Sequence, residues 1–450
     1  MIIEQIHDKP LAQVSYAVWS KNEIFLVDPG RDPKPYLDFA RSHGGKIVAV
    51  LETHPHADFA SSHKEFMDLH GATIYINPRV GVSYDYKPLD HDDTLLIGDV
   101  TVRTLFTPGH SPDHNSYLLI DKEGQQKAVF TGDALFIGDV GRPDLREGAG
   151  NIQISRQELA GMMFQTIQDV FSQLDDEVVV YPAHGAGSLC GRQMSEELSG
   201  TIGDQKNTNW AFQIKDKNRF IQEFLQGQPF IPKYFPHSVE INRRGLPPFE
   251  QSVESVPRID PGDGLTEGVP VVDTRDTSLF NSDHLPDSIN IQGGEGDKFE
   301  TWLGSIITPG MPFYLTAETE VELTEAIRRT ARIGYESYIK GAFVAPETLA
   351  ATRPDIPIND FKLHPERYTI VDIRNESEVD SEPIFDASLN IPLPELQGRI
   401  HEIPVNKPIV IHCAGGYRSA IGSSLVENEI GDWTPVYDLG DRINDFTHNE

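Results

Sequence analysis

Four times in its first half the chain runs a short β-rich stretch into a histidine or an aspartate. Ile47-Val48-Ala49-Val50-Leu51 leads to Thr53-His54-Pro55-His56-Ala57-Asp58-Phe59, Phe106-Thr107-Pro108-Gly109 to His110, Phe130-Thr131-Gly132 to Asp133, and Tyr181-Pro182-Ala183 to His184. Such runs, bounded by Gly and Pro, read as strands, and strand ends facing a cleft are where α/β folds place ligands. A single histidine so placed is ordinarily just hydrogen-bonded; four strand ends in succession point to a metal site. Further strands are expected at 17–19, 24–27, 73–76, 102–106, 116–120, 128–131 and 178–181, with helices over 35–43 and 155–174. This pattern fits two stacked sheets with outer helices.

The combination resembles the metallo-β-lactamase superfamily, whose signature is His-x-His-x-Asp-His followed by a Gly-His, a Gly-Asp and a late His. The resemblance covers about half the chain and implies an αββα sandwich. One position departs: Phe59 stands where the signature has its last His, which in the two-metal hydrolases helps hold the second metal. A phenyl ring cannot coordinate, so one metal is favoured. Matched residue by residue to the persulfide dioxygenases of that superfamily, the resemblance implies one Fe(II) per chain on His54, His110 and Asp133. His56, Asp58, Tyr181 and His184 would orient ligands or water. Two histidines and a carboxylate leave the opposite face of the metal open, which suits Fe(II) oxygen chemistry; zinc, which takes the same donors, is the alternative. The loop from Ala134 to Asp144 is also similar to those dioxygenases and implies that Arg142 contacts an anionic thiol such as glutathione persulfide. The competing reading pairs Arg142 with Asp139 or Asp144.

From Gln228 to Gly264 prolines accumulate without helical or strand periodicity, as in a linker. Beyond it the chain repeats itself. Val269 to Arg275 can be laid on Tyr368 to Arg374, Ser288-Ile289-Asn290-Ile291 on Ser388-Leu389-Asn390-Ile391, and Met311 to Leu315 on Lys407 to Ile411. Each unit alternates strands and helices, so each is expected to be a small parallel-sheet domain. The second unit continues His412-Cys413-Ala414-Gly415-Gly416-Tyr417-Arg418-Ser419 into a helix expected from Ala420. Backbone N–H groups at that helix start, with Arg418 beside them, would stabilise a thiolate at Cys413. Cys-x4-Arg closes a smaller ring than the Cys-x5-Arg of tyrosine phosphatases, leaving room for sulfur rather than a phosphoryl group. This resembles the rhodanese family, which carries sulfur as a cysteine persulfide, with Ala414, Gly415, Gly416 and Tyr417 lining the cradle. Asp438 to Arg442 departs from the Gly-Gly turn common there. In the first unit Ala317 falls on Cys413 and Glu322 on Arg418, so that unit is expected to be catalytically silent.

The expected division is therefore a sandwich domain over 1–236, a linker over 237–264, an inactive rhodanese-like domain over 265–350 and an active one over 358–450. Cys190, six residues after His184, is either a second persulfide-handling thiol or a buried free cysteine. Two isolated cysteines exclude a disulfide framework, and with no signal-like or membrane-spanning run the expectation is a cytoplasmic protein. The net charge of −31 disfavours nucleic acid and anionic membranes as partners. Homo-oligomerisation is left open. The joint resemblance implies oxidation of a low-molecular-weight thiol persulfide by O2 to sulfite, coupled to sulfane-sulfur transfer, with thiosulfate made or used at Cys413. A glyoxalase-II-like thioester hydrolase fused to a sulfurtransferase, or a non-catalytic sulfur-relay scaffold, are the rivals.

Overall fold

The computed structural model describes residues 1–147, 153–346, 349 and 351–447, so the expected domain ends at 350 and 450 lie outside the described residues. The chain forms two compact units, Met1–Glu254 with Ala331–Gly334, and Ser255–Thr330 with Tyr335–Glu450.

In the first unit, β1 (Ile2–Asp8), β2 (Gln13–Ser20), β3 (Glu23–Val27), β4 (Lys46–Leu51), β5 (Thr73–Ile76) and β6 (Lys87–Pro88) form one sheet in sequence order. A second six-stranded sheet contains β7 (Thr94–Ile97), β8 (Val100–Phe106), β9 (Asn115–Ile120), β10 (Gln126–Gly132), β11 (Val179–Pro182) and β12 (Gly200–Thr201), again in order. Strand alternation explains the stacking. Val14, Tyr16 and Val18, then Phe25 and Val27, then Ala49 and Leu51 meet Tyr117, Leu119, Ala128 and Phe130 in the inter-sheet core. The intervening residues face the other way: Ala17, Ile24, Leu26 and Val50 pack on Tyr36, Phe39 and Phe66, while Leu118, Val129 and Val180 pack on Met163, Ile167 and Phe171. Both faces of each sheet are thus buried, which is the expected αββα sandwich. Strands β8, β10 and β11 run parallel to one another because β9 is antiparallel to both neighbours, so their C-terminal ends share one edge.

Two local expectations need correction. The helix expected over 155–174 starts on a Ser155–Glu158 capping box, but it is α-helical only over Arg156–Gln165 and continues as a π turn and a 3-10 turn. The stretch expected as a linker is largely folded: helices Phe235–Arg244 and Phe249–Glu254 fall in it and belong to the first unit. Proline is tolerated in a helix's first turn, and Pro236 sits there, so prolines here start helices where a reading by composition expects coil.

The second unit holds two four-stranded parallel sheets built alike. Strands β13 (Val271–Asp273), β14 (Ser288–Asn290), β15 (Phe313–Ala317) and β16 (Ile339–Val344) take the order β14-β13-β15-β16. Strands β17 (Thr369–Asp372), β18 (Leu389–Asn390), β19 (Ile409–His412) and β20 (Val436–Asp438) repeat it as β18-β17-β19-β20. The repeat extends to side chains. Asp273 pairs with Arg275 at 2.6 Å as Asp372 does with Arg374 at 2.6 Å. The amides of Asn290 and Asn390 donate to the carbonyls of Asp273 and Arg275, and of Asp372 and Arg374, respectively.

Candidate metal centre and cysteine loop

His54, after β4 of the first sheet, meets His110 and Asp133, after β8 and β10 of the second, each offering one donor atom within 4.8 Å of the others. His54 Nε2 and His110 Nε2 lie 3.8 and 3.6 Å from Asp133 Oδ2, and all three side chains are buried. Their other polar atoms are already committed. Thr53 Oγ1 donates to Asp28 Oδ2 (2.8 Å), so its lone pair accepts from His54 Nδ1 (3.0 Å) and leaves Nε2 bare. His110 Nδ1 donates to the Arg142 carbonyl (2.9 Å), and Asp133 Oδ1 accepts from His184 Nδ1 (2.7 Å). His54 Nε2 and Asp133 Oδ2 have no hydrogen-bond partner. Buried polar atoms left bare in this way, with their outer sides fixed, fit a bound metal ion.

The electrostatics agree. Burial, reinforced by neighbouring histidines, holds His54 well below the ordinary imidazole range, and burial also lowers His110, so both stay neutral and ready to coordinate. Burial alone would raise Asp133, but His184 outweighs it and keeps the carboxylate ionised. His184 Nε2 also sits 2.7 Å from Asp58 Oδ2, and these two carboxylates raise the His184 pKa against the effect of burial. Replacing His184 by Gln is expected to weaken metal binding by about 10–100-fold, the usual effect of losing a ligand-orienting partner, as measured by competition with a chelator.

The backbone is shaped around this centre. Gly132 has φ +51°, and a Cβ there would come within 2.5 Å of Thr53 Oγ1 and 2.6 Å of His114 Nε2. His114 accepts from the Asp133 N–H (3.2 Å). Asp113, in the same loop, forms a buried pair with Arg146 at 2.9 Å, their side chains 0% and 1% exposed. Arg146→Met should cost roughly 3–5 kcal/mol in urea unfolding, because Asp113 would remain charged and unpaired in the interior. From the helix Phe235–Arg244, Asn242 donates to the carbonyls of His56 and Phe59 (2.9 and 2.8 Å), and Tyr234, just before it, donates to that of Asp58 (3.0 Å). The supposed linker therefore clamps the signature loop.

The neighbours of the trio form further donor groups: His56, its ring 4.2 Å from that of His54, groups with Asp28 and Glu52, and Asp58 groups with His184 and Cys190. Phe59 packs its ring 4.3 Å from that of His56. Tyr181 packs its ring against those of Tyr16 and Phe130, at 5.3 and 5.6 Å. Arg142 is not available to a substrate anion: Asp144 takes its guanidinium at 2.6 and 2.8 Å, and the carbonyls of Leu189 and Phe230 take the remainder. The backbone of Arg142 orients His110, and its side chain is structural. Cys190 is 1% exposed, and burial among carboxylates raises its thiol pKa well above the usual range. Asp28, Thr53, His114, Tyr234 and Asn242 are site residues that sequence reasoning misses. Asp28 carried the same signal as the others, an acid just past the strand Ile24 to Val27.

In the second unit Cys413 follows β19 and is 2% exposed, its Sγ accepting from the Gly416 N–H at 3.2 Å. The next helix starts at Tyr417, three residues earlier than expected, after Gly416 at φ +101°. Arg418 does not stand beside the sulfur as a bare cation, since both of its terminal nitrogens pair with Glu378 at 2.7 Å. Ala414 and Gly415 are exposed, and the Tyr417 hydroxyl donates to the Gln292 carbonyl of the first repeat (3.0 Å). Gly415, Gly416 and Tyr417 line a cavity of about 760 Å³ together with Asp276, Gln292 and Asp297 of that repeat. In the first repeat Ala317 is buried and Glu322 caps its helix by accepting from Thr319, so neither thiol nor cation occurs at those positions.

Residues 8–184 match the model of the metallo-β-lactamase superfamily. Hydroxyacylglutathione hydrolase (cytoplasmic) from Arabidopsis thaliana is 29% identical over 50% of this chain and 79% of its own length. The hydroxyacylglutathione hydrolase of Actinobacillus pleuropneumoniae is 26% identical over 53% of this chain and 88% of its own. The crystal structure of a metallo-β-lactamase from Staphylococcus aureus superposes with a TM-score of 0.67 at 28% identity, covering 76% of this chain and 98% of that one. No helix among the described residues is long and apolar enough to cross a membrane.

Proposed function

Because the chain carries a metallo-β-lactamase superfamily domain at its N-terminus, with a metal-binding trio of two histidines and one carboxylate, we propose that it is an Fe(II)-dependent dioxygenase acting on a small thiol persulfide such as glutathione persulfide. The observation that carries this reading is the composition of the trio, two histidines and one carboxylate, with Phe59 in place of the signature histidine, so that three ligands would leave metal positions for substrate and O2. Iron bound there supplies an open face and a redox partner for O2. The protein's part is positional. Thr53 and the Arg142 carbonyl fix the two imidazoles, His184 fixes Asp133, and burial keeps bulk water out. The reaction is RSSH + O2 + H2O → RSH + sulfite + two protons.

The second half of the proposal is sulfane-sulfur transfer at Cys413 in a rhodanese-like domain. Its thiolate attacks the outer sulfur of a donor such as thiosulfate, releases sulfite and holds the sulfur as a persulfide until an acceptor thiol takes it. Supporting this are the Gly416 N–H on the sulfur and the neighbouring cavity. The silent first repeat then serves as that cavity's other wall. Two buried free cysteines suit a reducing compartment, the cytoplasm.

A thioester hydrolase is the second reading, favoured by the buried Asp58, His184 and Cys190 group, which offers donors for a second metal beside the first. The test loads the chain anaerobically with Fe(II), then measures O2 uptake with glutathione persulfide and thiol release from lactoylglutathione. Uptake without thioester cleavage supports the dioxygenase; brisk cleavage without uptake transfers the assignment to the hydrolase.

A further inference from the structure

Beside the His54 trio the interior holds a second cluster of donor atoms whose hydrogen bonding is incomplete. Asp28 follows β3 in a left-handed backbone conformation (φ 49°), and Glu52 and His56 follow the parallel neighbour β4, so two carboxylates and an imidazole meet where these strands end. Donor atoms of the three lie within 4.8 Å of one another. The residues are 1%, 2% and 0% exposed. Among the described residues, the basic groups within salt-bridge distance of these carboxylates are two histidines: His56 Nε2, 3.2 Å from Asp28 Oδ1, and His63 Nδ1, 3.5 Å from Glu52 Oε1. Hydrogen bonding is incomplete as well. Neither ring nitrogen of His56 or of His63 has a hydrogen-bond partner, nor does the Tyr84 hydroxyl. Asp28 accepts from Thr53 N and Oγ1 (2.7 and 2.8 Å) and Glu52 from Ser61 Oγ (2.8 Å), which leaves lone pairs on both carboxylates unused. Two buried carboxylates facing an unpartnered imidazole, with no cationic side chain between them, are what a metal ion resolves.

We propose that Asp28, Glu52 and His56 hold a second, structural divalent cation of the class that accepts mixed carboxylate and imidazole donors, such as Zn2+ or Mn2+. The cation ties the end of β3 to the loop after β4. Thr53 Oγ1 joins Asp28 to His54 Nδ1, so fixing Asp28 also fixes the tautomer and direction of the first catalytic ligand. This holds whichever reaction the His54 trio performs.

The test counts metal. The full chain, stripped by a chelator and saturated with Zn(II), is weighed for bound metal by mass spectrometry. Glu52→Gln is expected to bind one equivalent fewer than the parent chain, Asp133→Asn also one fewer, and the double variant two fewer. Cys190→Ser should match the parent, which separates this cluster from the Asp58, His184 and Cys190 group. A parent chain that saturates at one equivalent, or a Glu52→Gln variant that binds as much as the parent, overturns the proposal. Should Glu52→Gln fail to fold, parent crystals soaked in Mn(II) decide the matter: an anomalous peak between Asp28, Glu52 and His56 supports the site, and its absence refutes it.

Discussion

Asp133→Asn is expected to abolish persulfide-dependent O2 uptake, by more than about 10³-fold, since loss of an outer-shell partner alone costs about 10–100-fold. The substitution removes the one anionic ligand of the trio, whose Oδ2 faces both His54 and His110. An asparagine amide keeps the shape and can still accept from His184, so the fold should survive; unchanged far-UV circular dichroism and thermal unfolding would show it. Sulfur transfer from thiosulfate to cyanide should stay at its starting rate, because Cys413 belongs to a different compact unit. Uptake in the variant at a tenth or more of the starting rate would remove Asp133 from the metal.

The reciprocal substitution, Cys413→Ser, should lower thiosulfate-to-cyanide transfer by at least about 10³-fold, since a hydroxyl at neutral pH neither ionises nor holds sulfane sulfur as a thiolate does. Oxygen uptake with glutathione persulfide should be unaffected. The sulfur sits at a strand-to-helix turn where the Gly416 N–H meets it, and Ser can occupy that place without strain. Transfer that persists in Cys413→Ser and vanishes in Cys190→Ser would move the carrier to the buried thiol near the metal.

Much of the centre was legible because ligands at strand ends leave a local mark: an apolar run, then Gly, Pro or Thr, then the donor. His54, His110 and Asp133 all carry it, and the structure brings them together. The repeat was legible for a similar reason, as Asp372, Arg374 and Asn390 have counterparts in Asp273, Arg275 and Asn290 that make the same bonds. What escaped depends on partners distant in sequence. Arg142 reads as an exposed anion clamp until Asp144 and two carbonyls are seen to occupy it. Tyr181 and His184 are three residues apart, and the ring of Tyr181 packs on Tyr16 and Phe130 while His184 holds Asp133, partners that no local spacing shows. Asn242 lies in a proline-rich stretch without apolar periodicity, and its role is visible only once its helix is folded against the loop it holds. Arg418 is paired by Glu378, forty positions away, which no local spacing reveals.

The most direct test of the central claim is the ratio of sulfite formed to O2 consumed when the Fe(II)-loaded Cys413→Ser variant turns over glutathione persulfide. With sulfur transfer removed, the account predicts one sulfite per O2, with glutathione appearing in equal amount. Glutathione released from thioesters with no O2 consumed, or O2 consumed with no sulfite formed, would contradict it.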